Sequence, residues 1–211
     1  MAKEMSVQEL YDKLVSKDFQ DPANGDLFYN FFIFQYPVEK EASMRRDIME
    51  FKDNLIRPVN FIDVLTLDIF EVFCKYLDQR SFGNKNPSTL KYQLEKDVNG
   101  TTAEIHNGVT RSLSTYAQSE DFMKYVHELI LAHIGQPKDG KTRPYVFLYG
   151  FTEIYPYLRA NRFLNVYEQF NKANRYKIIL FYPGEFRENR FSLFAKLNDD
   201  PGYRAHILVN N

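Results

Sequence analysis

The segment Gly135-Gln-Pro-Lys-Asp-Gly140-Lys141-Thr142 holds two glycines, a lysine and a hydroxyl at the spacing of a phosphate-binding loop. Such a loop works when a strand delivers it and a helix begins at its Lys-Thr, so that backbone amides and the helix dipole converge on the phosphates. Here the order is reversed. Residues 120–134 carry Phe122, Val126, Leu129 and Ile130 at helical spacing, and Thr142 leads through Arg143-Pro144 into a β-type run. Gly135, Gly140, Lys141 and Thr142 therefore read first as a solvated linker, with phosphate binding as the competing expectation.

A second constellation is His127-Glu128 followed by His133. A zinc-binding helix needs its histidines one turn apart, whereas six residues rotate the second imidazole by roughly 240°. His106 and His206 have no neighbouring ligands in sequence, so no metal site and no cofactor is expected. The acids Asp63, Asp68, Glu71, Glu153 and Glu185 fall at or near strand ends, where carboxylates can serve metal or acid/base chemistry. Asp68 and Glu71 are equally suited to a helix first turn. Cys74 lies on an apolar helical stripe, the setting of a structural thiol, and a single cysteine forms no internal disulfide.

Two tracts must position whatever chemistry exists. Tyr145-Val-Phe-Leu-Tyr-Gly150 and Tyr176-Lys-Ile-Ile-Leu-Phe-Tyr-Pro-Gly-Glu185 are apolar throughout, as burial on both faces of a parallel sheet demands, and each run is expected to stop at its glycine. Between them Pro156, Leu158, Phe163, Tyr167 and Phe170 outline a crossover helix with Pro156 in its first turn, in a unit expected to be right-handed. The preceding elements are a helix over residues 7–15, an aromatic strand over 27–36, a helix over 39–55 with Met44, Ile48, Phe51 and Leu55 inward, a strand over 59–65, and a helix burying Ile69, Phe73 and Leu77. In the polar stretch 81–119 residues 88–98 read as helix, and no element is assigned to the rest. A short helix over 191–197 and a strand over 203–209 complete the pattern. The fold class is α/β, a single domain over 1–211 with a mainly parallel sheet flanked by helices. In such sheets ligands and partners bind at the carboxyl ends of strands.

The 211 residues suit one such domain, and a formal charge of −1 gives no general basic footprint for nucleic acid. No segment approaches a membrane span or a signal peptide, so the expected location is the cytoplasm. Fifteen tyrosines and nineteen phenylalanines without tryptophan predict an aromatic core. Arg45, Arg46, Arg143, Arg159, Arg162, Arg187, Arg190 and Arg204 form a scattered set, several beside strand ends where a guanidinium can hold a carboxylate or phosphate at two points.

Phe147-Leu-Tyr-Gly150, Tyr155-Pro156-Tyr-Leu-Arg159, Leu164-Asn165, Leu180-Phe-Tyr-Pro-Gly-Glu185, Leu193-Phe194 and Tyr203-Arg204-Ala205, in this order, resemble the BrxB family of BREX bacterial phage-defence systems. The amino-terminal half agrees more loosely, through an aromatic strand ending Tyr36-Pro37 and a helix carrying Arg45-Arg46. The resemblance implies a small non-catalytic adaptor or scaffold, associating with BREX proteins such as the alkaline-phosphatase-like subunit and the large ATPase, and touching DNA only through the complex. It implies no catalytic residues. Arg45, Arg46, Gly150, Arg159, Tyr182, Pro183, Gly184, Glu185, Tyr203 and Arg204 are its partner-binding or structural candidates, with Pro183-Gly184 fixing a turn and Arg204 suited to pair with Glu185. The competing expectations are a nucleotide- or metal-dependent phosphohydrolase or nuclease using Lys141-Thr142 or the strand-end carboxylates, and a DNA-binding accessory protein.

Overall fold

Alternation along four parallel strands decides the architecture. In the computed structural model, which describes residues 3–20, 30–83, 87–136, 144–171, 176–187, 190–194, 196–198 and 205–210, odd and even positions of each strand feed two different cores. Phe31, Ile33, Val146, Leu148, Ile178, Leu180 and Tyr182 enter one. Phe32, Phe34, Tyr36, Tyr145, Phe147, Tyr149, Ile179 and Phe181 enter the other. This is the side-chain period of two on a sheet covered on both faces.

The chain begins with strand β1 (Lys3–Glu4), helix α1 (Val7–Val15) and helix α2 (Lys17–Gln20), followed by β2 (Phe31–Tyr36) and α3 (Glu41–Leu55). Strand β3 (Val64–Asp68) leads into α4 (Ile69–Asp78), then α5 (Thr89–Asn99), α6 (Thr102–Glu104), α7 (Arg111–Ala117) and α8 (Glu120–Ile134). Strand β4 (Tyr145–Tyr149), α9 (Phe151–Ile154), α10 (Ala160–Tyr167) and β5 (Lys177–Arg187) come next. The chain closes with β6 (Arg190–Leu193), β7 (Leu197–Asn198), β8 (His206–Ile207) and β9 (Val209–Asn210). The main sheet runs β3-β4-β5-β2-β8, with β6 and β7 branching from β5. All pairs along that order are parallel, and β1 pairs β9 antiparallel.

Helix α1 starts at a capping box in which Ser6 and Glu9 bond each other's backbone amides. Its Leu10 and Leu14, with Met44, Ile48, Phe51 and Leu55 of α3, cover one face of the sheet. The buried sides of α4, α8 and α10 cover the other. The chain leaving β2 thus turns to one face, while the chains leaving β3 and β4 turn to the opposite one, which opens a crevice at the strands' carboxyl ends.

Several expectations are corrected. Residues 58–60 form a 3-10 turn, and Phe61 adopts a left-handed backbone with φ 51°, so the second strand begins at Val64. Pro156 follows a cis peptide bond in the turn after α9; the crossover helix starts only at Ala160, after Arg159. Residues 102–117 are helical throughout, through a π-helical stretch at Ile105–Thr110. Their Asn-Gly and Thr-rich sequence disfavours helix, but the Thr101–Glu104 capping box and burial of Val109 and Ala117 outweigh it.

The expected helix over 191–197 is instead the hairpin β6–β7, because the far half of β5 offers residues 190–193 an edge to pair with, and that tertiary pairing overrides a helical spacing. Nor does β5 stop at its glycine. Pro183 is the last position in parallel register, opposite Tyr36, and from Gly184 onward β5 pairs antiparallel with β6. A Cβ at Gly184 would lie 2.1 Å from the Ser192 carbonyl oxygen, so the exchange of partners requires glycine.

Candidate functional site at the carboxyl edge of the sheet

Asp68 is both the last residue of β3 and the N-cap of α4. Its Oδ1 accepts from the amides of Phe70 at 3.0 Å and Glu71 at 3.1 Å. Its Oδ2 meets Arg45 of α3 at 2.9 Å. The same guanidinium contacts Glu153 of α9 at 2.5 Å and lies 5.9 Å from the centre of the Tyr149 ring. Glu41, one turn before Arg45, accepts a short hydrogen bond from Tyr36 at the end of β2. The Thr152 hydroxyl lies 2.7 Å from both Glu41 Oε1 and Glu153 Oε2, so its single proton can be donated to either carboxylate in turn. The ends of β2, β3 and β4 are tied by this chain of contacts from Tyr36 to Asp68.

Burial holds the Asp68 carboxyl above its ordinary range, opposed by the helix amide and the Arg45 charge. Burial also raises Tyr36 far above a normal phenol, reinforced by its bond to Glu41 and the charges of Glu41 and Glu153. Tyr36 therefore stays a neutral donor. Cys74 is likewise raised by burial and by the Asp68 and Glu71 charges, which leaves its thiol a poor nucleophile.

Arg45→Ala removes the counter-charge of a buried carboxylate. A loss of about 2 kcal/mol at neutral pH is expected, with Asp68 pushed further upward. A raised carboxyl favours folding only while protonated, so its contribution is complete below the ordinary value near 3.8 and fades as pH rises through the folded value. The penalty of the variant should accordingly shrink in acid. Denaturant titrations of both proteins from pH 3 to 7 read this directly, and a pH-independent difference would refute it.

Gly150 completes the corner. Its φ is +84°, and a Cβ there would stand 2.4 Å from Asp68 Oδ1. Next to it along the sheet edge, Pro37, Val38, Glu39, Gly184, Glu185, Phe194 and Lys196 line a cavity of about 640 Å³. Phe194 is held there with φ 54°, its amide donating to the Pro183 carbonyl at 3.0 Å.

The structure thus gathers Arg45, Asp68, Glu153 and Gly150 at one corner and Gly184 and Glu185 at the adjoining cavity. Tyr182 points into the core. Arg46 is 80% exposed beside Asp47, and Arg159 precedes α10 with its guanidinium 5.8 Å from the Tyr155 ring centre. Tyr203 and Arg204 lie outside the described residues, as do Gly140, Lys141 and Thr142. Gly135 caps the carboxyl end of α8, with β4 the next element after it, so a helix precedes the segment and a strand comes after it. Asp63 is remote from the cluster in another sense: it pairs with His133 at 3.0 Å before β3 begins. His127 contacts the hydroxyls of Tyr167 and Tyr176 at 3.2 and 3.0 Å. Among the described residues no group of three or more His, Cys, Asp or Glu side chains is arranged to hold a metal ion, and no helix is long and apolar enough to cross a membrane.

Sequence reasoning missed Glu41, Thr152 and the Tyr36 hydroxyl. The available signal was position: each lies within five residues of a strand's carboxyl end.

Fold and corner together define an α/β protein whose strand-end charges are bound to one another across a crevice. Residues 65–208 match the family described as BREX protein BrxB, and the chain belongs to that family. It is 22% identical over 205 residues to a BREX protein BrxB of Bacillus cereus (strain H3081.97), covering 97% of this chain and 96% of that protein. No solved structure matches the chain.

Proposed function

We propose that this protein is a non-catalytic adaptor or scaffold subunit of a BREX anti-phage system, acting in the cytoplasm and presenting the carboxyl edge of its sheet to other BREX proteins. Membership of the family makes it a BREX component. The adaptor role is supported by one observation above the rest: Asp68, Glu153, Glu41, Arg45 and Tyr36 are engaged with one another. Groups committed in this way brace a surface; a general base or nucleophile needs a site where substrate can reach it. Glu185 and Arg46, at the adjoining cavity and on the outer side of α3, are the partner-facing candidates, with the alkaline-phosphatase-like subunit and the large ATPase as the partners.

The test is affinity capture of the tagged protein from a host carrying the whole system. Recovery of other BREX subunits is expected, weakened at least tenfold in an Arg46→Glu/Glu185→Arg double variant that retains wild-type thermal stability. Recovery of the protein alone, or hydrolysis of nucleotide or nucleic acid by the purified chain that is lost in Lys141→Ala, would overturn the reading.

A further inference from the structure

The second cleft of interest lies far along the chain from the strand ends, between α5 and the helical run from α6 to α7. Its volume is about 520 Å³, within the ordinary size of small-molecule sites. One wall is aromatic: Phe82 and Tyr92 stack at 4.0 Å with their planes 12° apart. The Lys96 ammonium stands 5.8 Å from the Tyr92 ring centre, one helical turn beyond it. The floor is Gln93, 4% exposed, whose amide nitrogen donates to Ser112 Oγ at 2.8 Å, which leaves its carbonyl oxygen as an acceptor. Asn107 adds a further amide from the opposing helical run, and Asn99 another, whose nitrogen also donates to the Glu95 carbonyl at 2.9 Å.

The groove is held open by its backbone. The π-helical stretch Ile105–Thr110 forms much of one side, and such widened turns recur at functional sites. Gly108 sits in it, and a Cβ there would meet nothing within 4 Å. Glu104 is the rim's carboxylate, accepting from the Thr101 amide at 2.9 Å and hydroxyl at 2.7 Å and lying near enough to Lys96 for the two charges to interact.

We propose that this cleft binds a nucleotide, with the base against the Phe82–Tyr92 wall, its edge read by the Gln93, Asn99 and Asn107 amides, and its phosphate on Lys96. The chemistry fits each part. Aromatic faces accept bases of any kind, carboxamides supply the paired donor and acceptor that base edges require, and the ammonium is the cation lining the cleft among the described residues. The ligand is either a free mononucleotide or a terminal nucleotide of a single strand, since both offer the same base and phosphate.

Calorimetric titration of the full chain with adenosine, guanosine, cytidine and thymidine monophosphates, and in parallel with a six-nucleotide single strand, tests this. Sub-millimolar binding of at least one probe is expected. Gly108→Leu projects a side chain into the groove from a position where its Cβ meets nothing within 4 Å, and should weaken binding at least tenfold while thermal denaturation stays as in the parent. Lys96→Glu, at an exposed helix position, should weaken it similarly and flatten its salt dependence. Binding of the strand alone would assign the source as nucleic acid. Absence of binding by every probe, or binding that both variants leave unchanged, would overturn the proposal.

Discussion

Gly150→Val should cost about 4 kcal/mol of folding stability. Two penalties add. The left-handed backbone at φ +84° costs an L-residue roughly 1–2 kcal/mol, more for a β-branched one. The new Cβ would also stand 2.4 Å from Asp68 Oδ1, and Asp68, 6% exposed, cannot swing away without giving up the α4 cap and the Arg45 pair. Losing a cap costs about 1 kcal/mol, and separating a largely buried charge pair costs as much again or more. Gly150→Ala should show about two-thirds of the loss. Gly108→Ala is the matched control: its side chain enters open space on a helix, where alanine is favoured over glycine by about 1 kcal/mol, so that variant should be no less stable than the parent. Chemical denaturation of the three proteins measures the series. A Gly150→Ala protein within about 0.5 kcal/mol of the parent would show that the corner relaxes freely, against the close packing assigned to it.

Above pH 10 the protein should lose stability at about 2.8 kcal/mol per pH unit from two phenols alone. Tyr36 is raised by burial, then by its bond to and the charges around Glu41. Tyr167 is raised by burial and by Tyr176, whose hydroxyl lies 2.8 Å away. A phenol whose folded value lies above its unfolded value of 10.0 contributes its full stability below that pH. Above it the unfolded chain releases a proton that the folded chain keeps, and each such group removes about 1.4 kcal/mol per pH unit. Fifteen tyrosines make the effect visible: tyrosinate absorbance should rise in a first phase from exposed rings, then in a second that coincides with unfolding. Tyr36→Phe should remove about half of the two-phenol slope. A single smooth titration of all rings in a still-folded protein would refute the assignment.

The sheet was legible because its signal is local. Runs such as Tyr145 to Tyr149 and Ile178 to Tyr182 can be buried on both faces only in a covered parallel sheet, and that is where they lie. Boundaries failed where a tertiary partner overrode propensity: Arg190 to Leu193 is strand because β5 offers it an edge, and residues 102–117 are helix because α5 and the core receive them. The site was legible in pieces. Arg45, Asp68 and Glu153 each stood out by type and position, yet Arg45 and Glu153 are 108 residues apart, and no spacing rule spans that distance. Glu41 and Thr152 carry no motif of their own; only the approach of the β2 and β4 ends makes them neighbours.

The change of partner within β5 divides that strand into two regimes of motion. Residues Ile178 to Leu180 are flanked by β4 and β2 together, so their amides can exchange with solvent only when the whole sheet opens. Beyond Gly184 the strand leans on a four-residue β6, which can peel away by itself. Hydrogen exchange should therefore be slowest in the first half of β5 and faster by orders of magnitude from Glu185 to Arg187. The Pro183-Gly184 pair thus marks the boundary between a rigid frame and a separately opening hairpin, so a partner gripping the adjoining cavity would slow exchange in that hairpin and leave the frame as it was.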